Sequence, residues 1–171
     1  MTTTKTSNYT MLYIATTRFK TDTWNQNQRW RDSNDWCGCI YGTPTRMKDD
    51  IPVGIGIAVL EMHNDNNKIM GIGLVSNRIE KESKYNIYEW GNYNRFVYMS
   101  KYRIDRETCS EEELKILNIL DILLFKGSCH LKRGHGLTII PNWISKNKHI
   151  DFEKQIGNMF TERFKKFSIN E

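Results

Sequence analysis

The stretch Leu131-Lys132-Arg133-Gly134-His135-Gly136-Leu137 sets two cations beside two glycines, ahead of an apolar run ending at Pro141. Lysine and arginine bring positive charge, and arginine adds a planar fork of donors that suits phosphate. Glycine has no Cβ, so a ligand can approach its backbone closely. The segment therefore reads as a phosphate clamp built from Lys132, Arg133, Gly134, His135 and Gly136, with Lys126 on the same edge. Arg18, Arg29 and Arg31 are further cations that can track a phosphate backbone, though any one of them suits a solvated face equally well.

Aromatic residues are the second candidate chemistry. The chain holds Trp24, Trp30, Trp36, Trp90 and Trp143. Their faces can stack on bases or enclose a methylated group, whereas most such rings simply fill a core. Trp36 and Trp90 stand apart because their surroundings are polar: Ser33-Asn34-Asp35 before one, Glu89-Trp90-Gly91-Asn92-Tyr93-Asn94 around the other. The amides of Asn34, Asn92 and Asn94 are suited to reading a base edge.

Catalytic and metal readings are weaker. His130 and His135 are five apart with Cys129 adjacent, a spacing of neither a zincin helix nor a zinc finger. Cys37, Cys39, Cys109 and Cys129 include no C-x-x-C pair, so a structural zinc site is not expected. A nuclease would use His135 as base and Arg133 against a phosphorane, with Glu61, Asp65 and Asp105 as metal carboxylates. Nothing in the sequence brings those carboxylates together, and no cofactor or metal is required. Gly38-Cys39-Ile40-Tyr41 hints at a GIY-YIG nuclease but lacks the second half of that motif.

The formal net charge of +5 favours polyanionic partners, through release of counterions at each phosphate contact. At 171 residues, 39% hydrophobic and 26% charged, the chain suits one soluble domain over 9–171 behind a disordered lead over 1–8. No apolar run reaches the roughly 18 residues of a membrane span. The first residues lack the apolar core of a secretory signal. Reduced thiols in a cytoplasmic or nuclear setting fit best.

Alternation places a strand over 9–16, and Thr21-Asp22-Thr23 opens a short helix over 24–31. A second strand runs over 36–42. Strands over 51–62 and 68–77 form a hairpin around Asn64-Asp65-Asn66-Asn67, whose residue types tolerate positive φ. Gly54, Gly56, Gly71 and Gly73 in that hairpin indicate close packing in a small barrel, or room for a ligand. Residues 86–98 read as a loop and strand, and 102–106 as another strand. Ser110-Glu111-Glu112-Glu113 is a capping box opening a helix that ends near Lys126-Gly127. A short strand over 137–140 and an amphipathic helix over 151–167 complete the chain.

This order of elements resembles the PUA-like superfamily, and within it the YTH and EVE domains. The resemblance covers about residues 9–106. It rests on the strand–helix–Trp36-Cys37 succession, on Ile69-Met70-Gly71-Ile72-Gly73-Leu74-Val75, and on Trp90 followed by Tyr102-Arg103-Ile104-Asp105-Arg106. It implies a small curved β-barrel with flanking helices that binds a modified nucleobase, with Trp36 and Trp90 as cage walls and Tyr93 or Tyr88 as the third. The expected whole is an α+β domain that binds RNA or DNA. A base, methylated in the sharpest version, enters an aromatic pocket formed by Trp36, Trp90, Tyr93, Tyr88 and Asn34, while the 132–136 segment holds phosphate. The alternatives are a nucleic-acid-processing enzyme centred on His135 and Arg133, and a protein-interaction module.

Overall fold

The structure, a computed structural model, describes residues 12–80 and 84–164. Two expectations extend past that range: residues 9–11 of the first strand, and 165–167 of the last helix. The 1–8 lead lies wholly outside it.

The chain folds as a mixed α+β structure around a five-stranded sheet. Leu12–Phe19 (β1) lies parallel to Gly56–His63 (β3), which returns as Lys68–Val75 (β4). Arg103–Asp105 (β6) pairs with the outer edge of β4, and Thr138–Ile139 (β7) with the other side of β1. The hairpin forms where Asn67 takes φ 51°, a left-handed conformation that asparagine tolerates. A second, two-stranded sheet joins Cys39–Thr43 (β2) to Phe96–Ser100 (β5). The two sheets meet at β4, where the Ser100 hydroxyl donates to the Leu74 carbonyl and Leu74 N–H donates to Tyr102 O at 3.0 Å. The described strands form no closed barrel.

Alternation along β3 gives the sheet two buried faces. Ala58, Leu60 and Met62 face Glu111–Phe125 (α2) and Phe152–Arg163 (α4), whose Leu117, Leu120, Leu124, Phe152, Ile156 and Phe160 fill one core. Ile57 and Val59 face a second core, made with Trp24 of Thr21–Ser33 (α1) and with Ile40, Tyr41, Val97 and Tyr98 of the small sheet. The helix α2 opens on the expected reciprocal cap: Ser110 Oγ accepts from Glu113 N at 3.2 Å, and Glu113 Oε1 accepts from Ser110 N at 2.9 Å. The short helix Asn142–Ser145 (α3), absent from the sequence reading, seats Ile144 in the first core.

Of the hairpin glycines, Gly71 and Gly73 have their space occupied by the protein itself, whereas Gly54 faces open space. A Cβ on Gly73 would lie 2.2 Å from the Tyr41 hydroxyl, and one on Gly71 would lie 2.6 Å from Arg103 Nη2. Close packing is therefore the use of Gly71 and Gly73. Above Gly71, Arg103 grips the buried Glu61 at 2.6 and 3.0 Å, and Tyr41 donates to the same carboxylate at 2.6 Å. Burial works against the Arg103 charge, but Glu61 holds its pKa above the ordinary value. The Arg103-Ile104-Asp105-Arg106 run thus fastens an edge strand. Its last member, Arg106, pairs with Asp121 of α2 at 2.9 Å.

Candidate functional site

One cleft of about 510 Å³ lies at the C-terminal end of β1, a size in the ordinary range for small-ligand sites. Five segments of the chain converge on it as a floor and two walls. Thr17 to Lys20, followed by Asp22 and Thr23, form its floor and the start of α1. Gly42, Pro44, Tyr88 and Tyr93 form one wall. Lys132, Arg133, Gly134, His135 and Gly136 form the other, beside Asn64. Two of the five expected base-binding residues, Tyr88 and Tyr93, therefore face the cationic segment, some 40 residues away in the chain, across one space.

The aromatic wall is built by asparagines. Asn94 Oδ1 accepts from Ile87 N and Tyr88 N at 3.0 and 2.9 Å, and its Nδ2 donates to Tyr88 O at 2.7 Å. This fixes the backbone that carries Tyr88. Asn27, buried in α1, donates from Nδ2 to the Tyr88 hydroxyl at 3.0 Å and to Ile40 O at 2.7 Å. Burial raises the Tyr88 pKa, so the phenol stays neutral. Tyr93 sits in a 3-10 turn, Gly91–Asn94, and meets Tyr88 edge-on at 5.9 Å. Trp90 lies against the edge of Tyr93 at 4.5 Å and is 55% exposed. It backs the wall rather than lining the cleft.

The other expected site residues fall elsewhere. Trp36 is half-buried, with its indole N–H donated to Cys39 O at 3.1 Å, and it does not line the cleft. Asn34 caps the end of α1, where its Nδ2 donates to Trp30 O at 2.8 Å. Lys126 caps α2, exposed and outside the cleft.

The cationic wall is held by Arg18. Its Nε donates to Gly134 O at 2.6 Å, Nη1 to Thr16 Oγ1 at 2.8 Å and Leu131 O at 3.2 Å, and Nη2 to Thr138 Oγ1 at 2.9 Å and Gly136 O at 3.4 Å. Asn64 adds a bond from Nδ2 to Lys132 O at 2.9 Å. A Cβ at Gly134 would lie 2.6 Å from the Arg18 guanidinium carbon, so the space at that glycine is filled by Arg18. Gly136 has φ 64°, the left-handed conformation glycine enters without penalty. Arg18 entered the sequence reading only as one cation among several. Its position on a strand otherwise sunk in the core was the available signal, since an arginine there must be bound on all sides.

The carboxylates considered for a metal are separately engaged. Glu61 serves Arg103 and Tyr41, Asp65 accepts from Thr21 N and Oγ1 at 2.8 Å each, and Asp105 accepts from Glu107 N at 2.9 Å. Among the described residues, no three His, Cys, Asp or Glu side chains are placed to share an ion. Cys39 is buried, and burial pushes its thiol up to about 11, which disfavours the nucleophilic thiolate. No described helix is long and apolar enough to cross a membrane.

Comparison with known proteins gives no match to a family model, to a curated protein or to a solved structure.

Proposed function

We propose that this protein binds nucleic acid, RNA or DNA, by taking one nucleotide into the cleft at the end of β1. The observation that carries the reading is the shared cleft: Tyr88 and Tyr93 on one wall, Lys132 to Gly136 on the other. A base against the Tyr93 ring gains stacking of about 1–3 kcal/mol. The phosphates then fall to the cationic wall. The volume suits a nucleotide, and a methyl group on the base would add apolar contact with the tyrosine wall, as in a modified-base reader. The architecture this reading implies is PUA-like, with the small sheet packed across β4 in the place of the remaining barrel wall. The compartment that fits such a partner is cytoplasmic or nuclear.

The alternative of a nuclease centred on His135 and Arg133 has less support. The His135 imidazole has no orienting hydrogen bond to a described residue; only its carbonyl is engaged, by Thr138 Oγ1 at 3.1 Å. A general base is normally held in position by such a partner.

The test is a tryptophan-fluorescence titration with methylated and plain single-stranded oligonucleotides at two salt concentrations. Trp90, in edge contact with the aromatic wall, is the expected reporter. The reading expects quenching, affinity that falls steeply with salt, and weaker binding in a Lys132→Ala, Arg133→Ala double variant. Absence of binding to every oligonucleotide at low salt would overturn it.

A further inference from the structure

The Arg18 guanidinium is half-buried at the floor of the cleft, charged and without a carboxylate partner among the described residues. A guanidinium carries five N–H donors. The five oxygen acceptors around Arg18 are carbonyls of Leu131, Gly134 and Gly136 and hydroxyls of Thr16 and Thr138. Every donor is thus used, and every acceptor is neutral. Such acceptors solvate the charge without cancelling it, so at the cleft floor it remains available to attract an anion. Burial lowers the Arg18 pKa to about 10, so the positive charge persists at neutral pH.

The loop above this charge is shaped to pass it on. A trans peptide sets each N–H opposite the carbonyl before it, and no cis bond occurs among the described residues. Because Gly134 O and Gly136 O point to Arg18, the amides of His135 and Leu137 point away from it. Neither amide donates to a described residue, nor do those of Arg133, Gly134 and Gly136. Lys132 and Arg133 stand on the same wall, and Asp22 is the one carboxylate lining the cleft.

We propose that Arg18 is the positioning residue of a phosphate subsite: a phosphate group is received by the outward main-chain amides of the 133–137 loop and neutralises Arg18 through that loop, without touching its guanidinium. The proposal rests on the nucleic-acid reading for its ligand and names the group of that ligand which the cationic wall recognises. It assigns Arg18 a part different from that of Lys132 and Arg133, which meet the anion directly.

The experiment is a calorimetric titration of inorganic phosphate and of a phosphate-free nucleoside into the wild-type chain, Arg18→Gln and Gly134→Ala, with amide ¹H–¹⁵N spectra recorded alongside. Gly134→Ala keeps every charge and needs no positive φ, but its methyl displaces the guanidinium, so it answers even where Arg18→Gln fails to fold. Phosphate is expected to move the His135 and Leu137 amide signals, and to bind roughly tenfold or more weakly to both variants. Nucleoside affinity is expected to stay within about twofold, a split that general loosening of the fold would not produce. An oligonucleotide without a terminal phosphate moves the same amides if an internal diester is the group recognised, and leaves them still if a terminal phosphate is required. Phosphate binding unchanged in both variants, or wild-type amides unmoved by phosphate, would overturn the inference. Oligonucleotide binding with those amides unmoved by any phosphate form would end it while leaving the nucleic-acid reading intact. Phosphate binding here with no oligonucleotide binding would end that reading instead.

Discussion

At the scale of single residues, position relative to the cleft separates aromatics that look alike in sequence. Trp36 and Tyr93 both stand in polar stretches, yet only Tyr93 lines the cleft. Tyr93→Ala is expected to weaken oligonucleotide binding about tenfold, the loss of one stacking contact. Trp36→Ala is expected to leave it within about twofold, since an indole tied to Cys39 O outside the cleft has no ligand to lose. Titration of the two variants side by side checks both statements, and equal losses would contradict them. The glycines teach the same lesson. Gly134 was legible as a place where something approaches the backbone, but its partner is Arg18, 116 residues away in the chain. Three of the five oxygen acceptors of Arg18 are carbonyls, which carry no side-chain signature, so the clamp left little mark on the sequence beyond an arginine on a buried strand.

At the scale of elements, local signals were legible where local physics decides. The Asn64–Asn67 turn and the Ser110 capping box stood where the sequence placed them, because side-chain type alone favours those conformations. The start of β3 came late, at Gly56 rather than Ile51: Ile51 turns into the second core from a loop, where Asn77 Nδ2 holds its carbonyl at 2.9 Å. The parallel pairing of β1 with β3 was not legible, since register between distant strands is set by the assembled core. Asn94→Ala removes three hydrogen bonds that hold the Tyr88 backbone. It is expected to destabilise the fold by about 1–3 kcal/mol and to weaken binding, read by denaturant titration beside an affinity measurement. Between α2 and α4, Glu113 meets Arg163 at 2.5 and 2.6 Å. The hydrogen bond from Arg163 holds the Glu113 pKa down at about 2, against the ordinary glutamate value of 4.5. A carboxylate with a depressed folded pKa stabilises fully above its unfolded value and loses that contribution as pH falls through the folded one. Loss of α4 docking is therefore expected as pH falls from 4.5 towards 2, and Glu113→Gln should flatten that dependence in an acid titration followed by circular dichroism.

At the scale of the whole molecule, charge and shape act together. The excess of +5 gives a general attraction for polyanions, and the cleft gives it a place to act. Removing Lys132 and Arg133 together is expected to reduce the slope of log affinity against log salt by about one to two, with the melting temperature little changed. Away from the cleft, Ile119 and Ile122 are exposed on α2, on the side turned from the first core. Substituting both by Ser leaves the proposed site untouched, and nucleic-acid affinity should not move. The most direct measurement of the central claim is ultraviolet crosslinking of a bound single-stranded oligonucleotide, with the joined peptides identified by mass spectrometry. A nucleotide held at both ends in one cleft predicts crosslinks to the Tyr88–Tyr93 segment and to the Lys132–Gly136 loop. Crosslinks that avoid both segments and fall instead on the α2 surface or around Trp36 would contradict it.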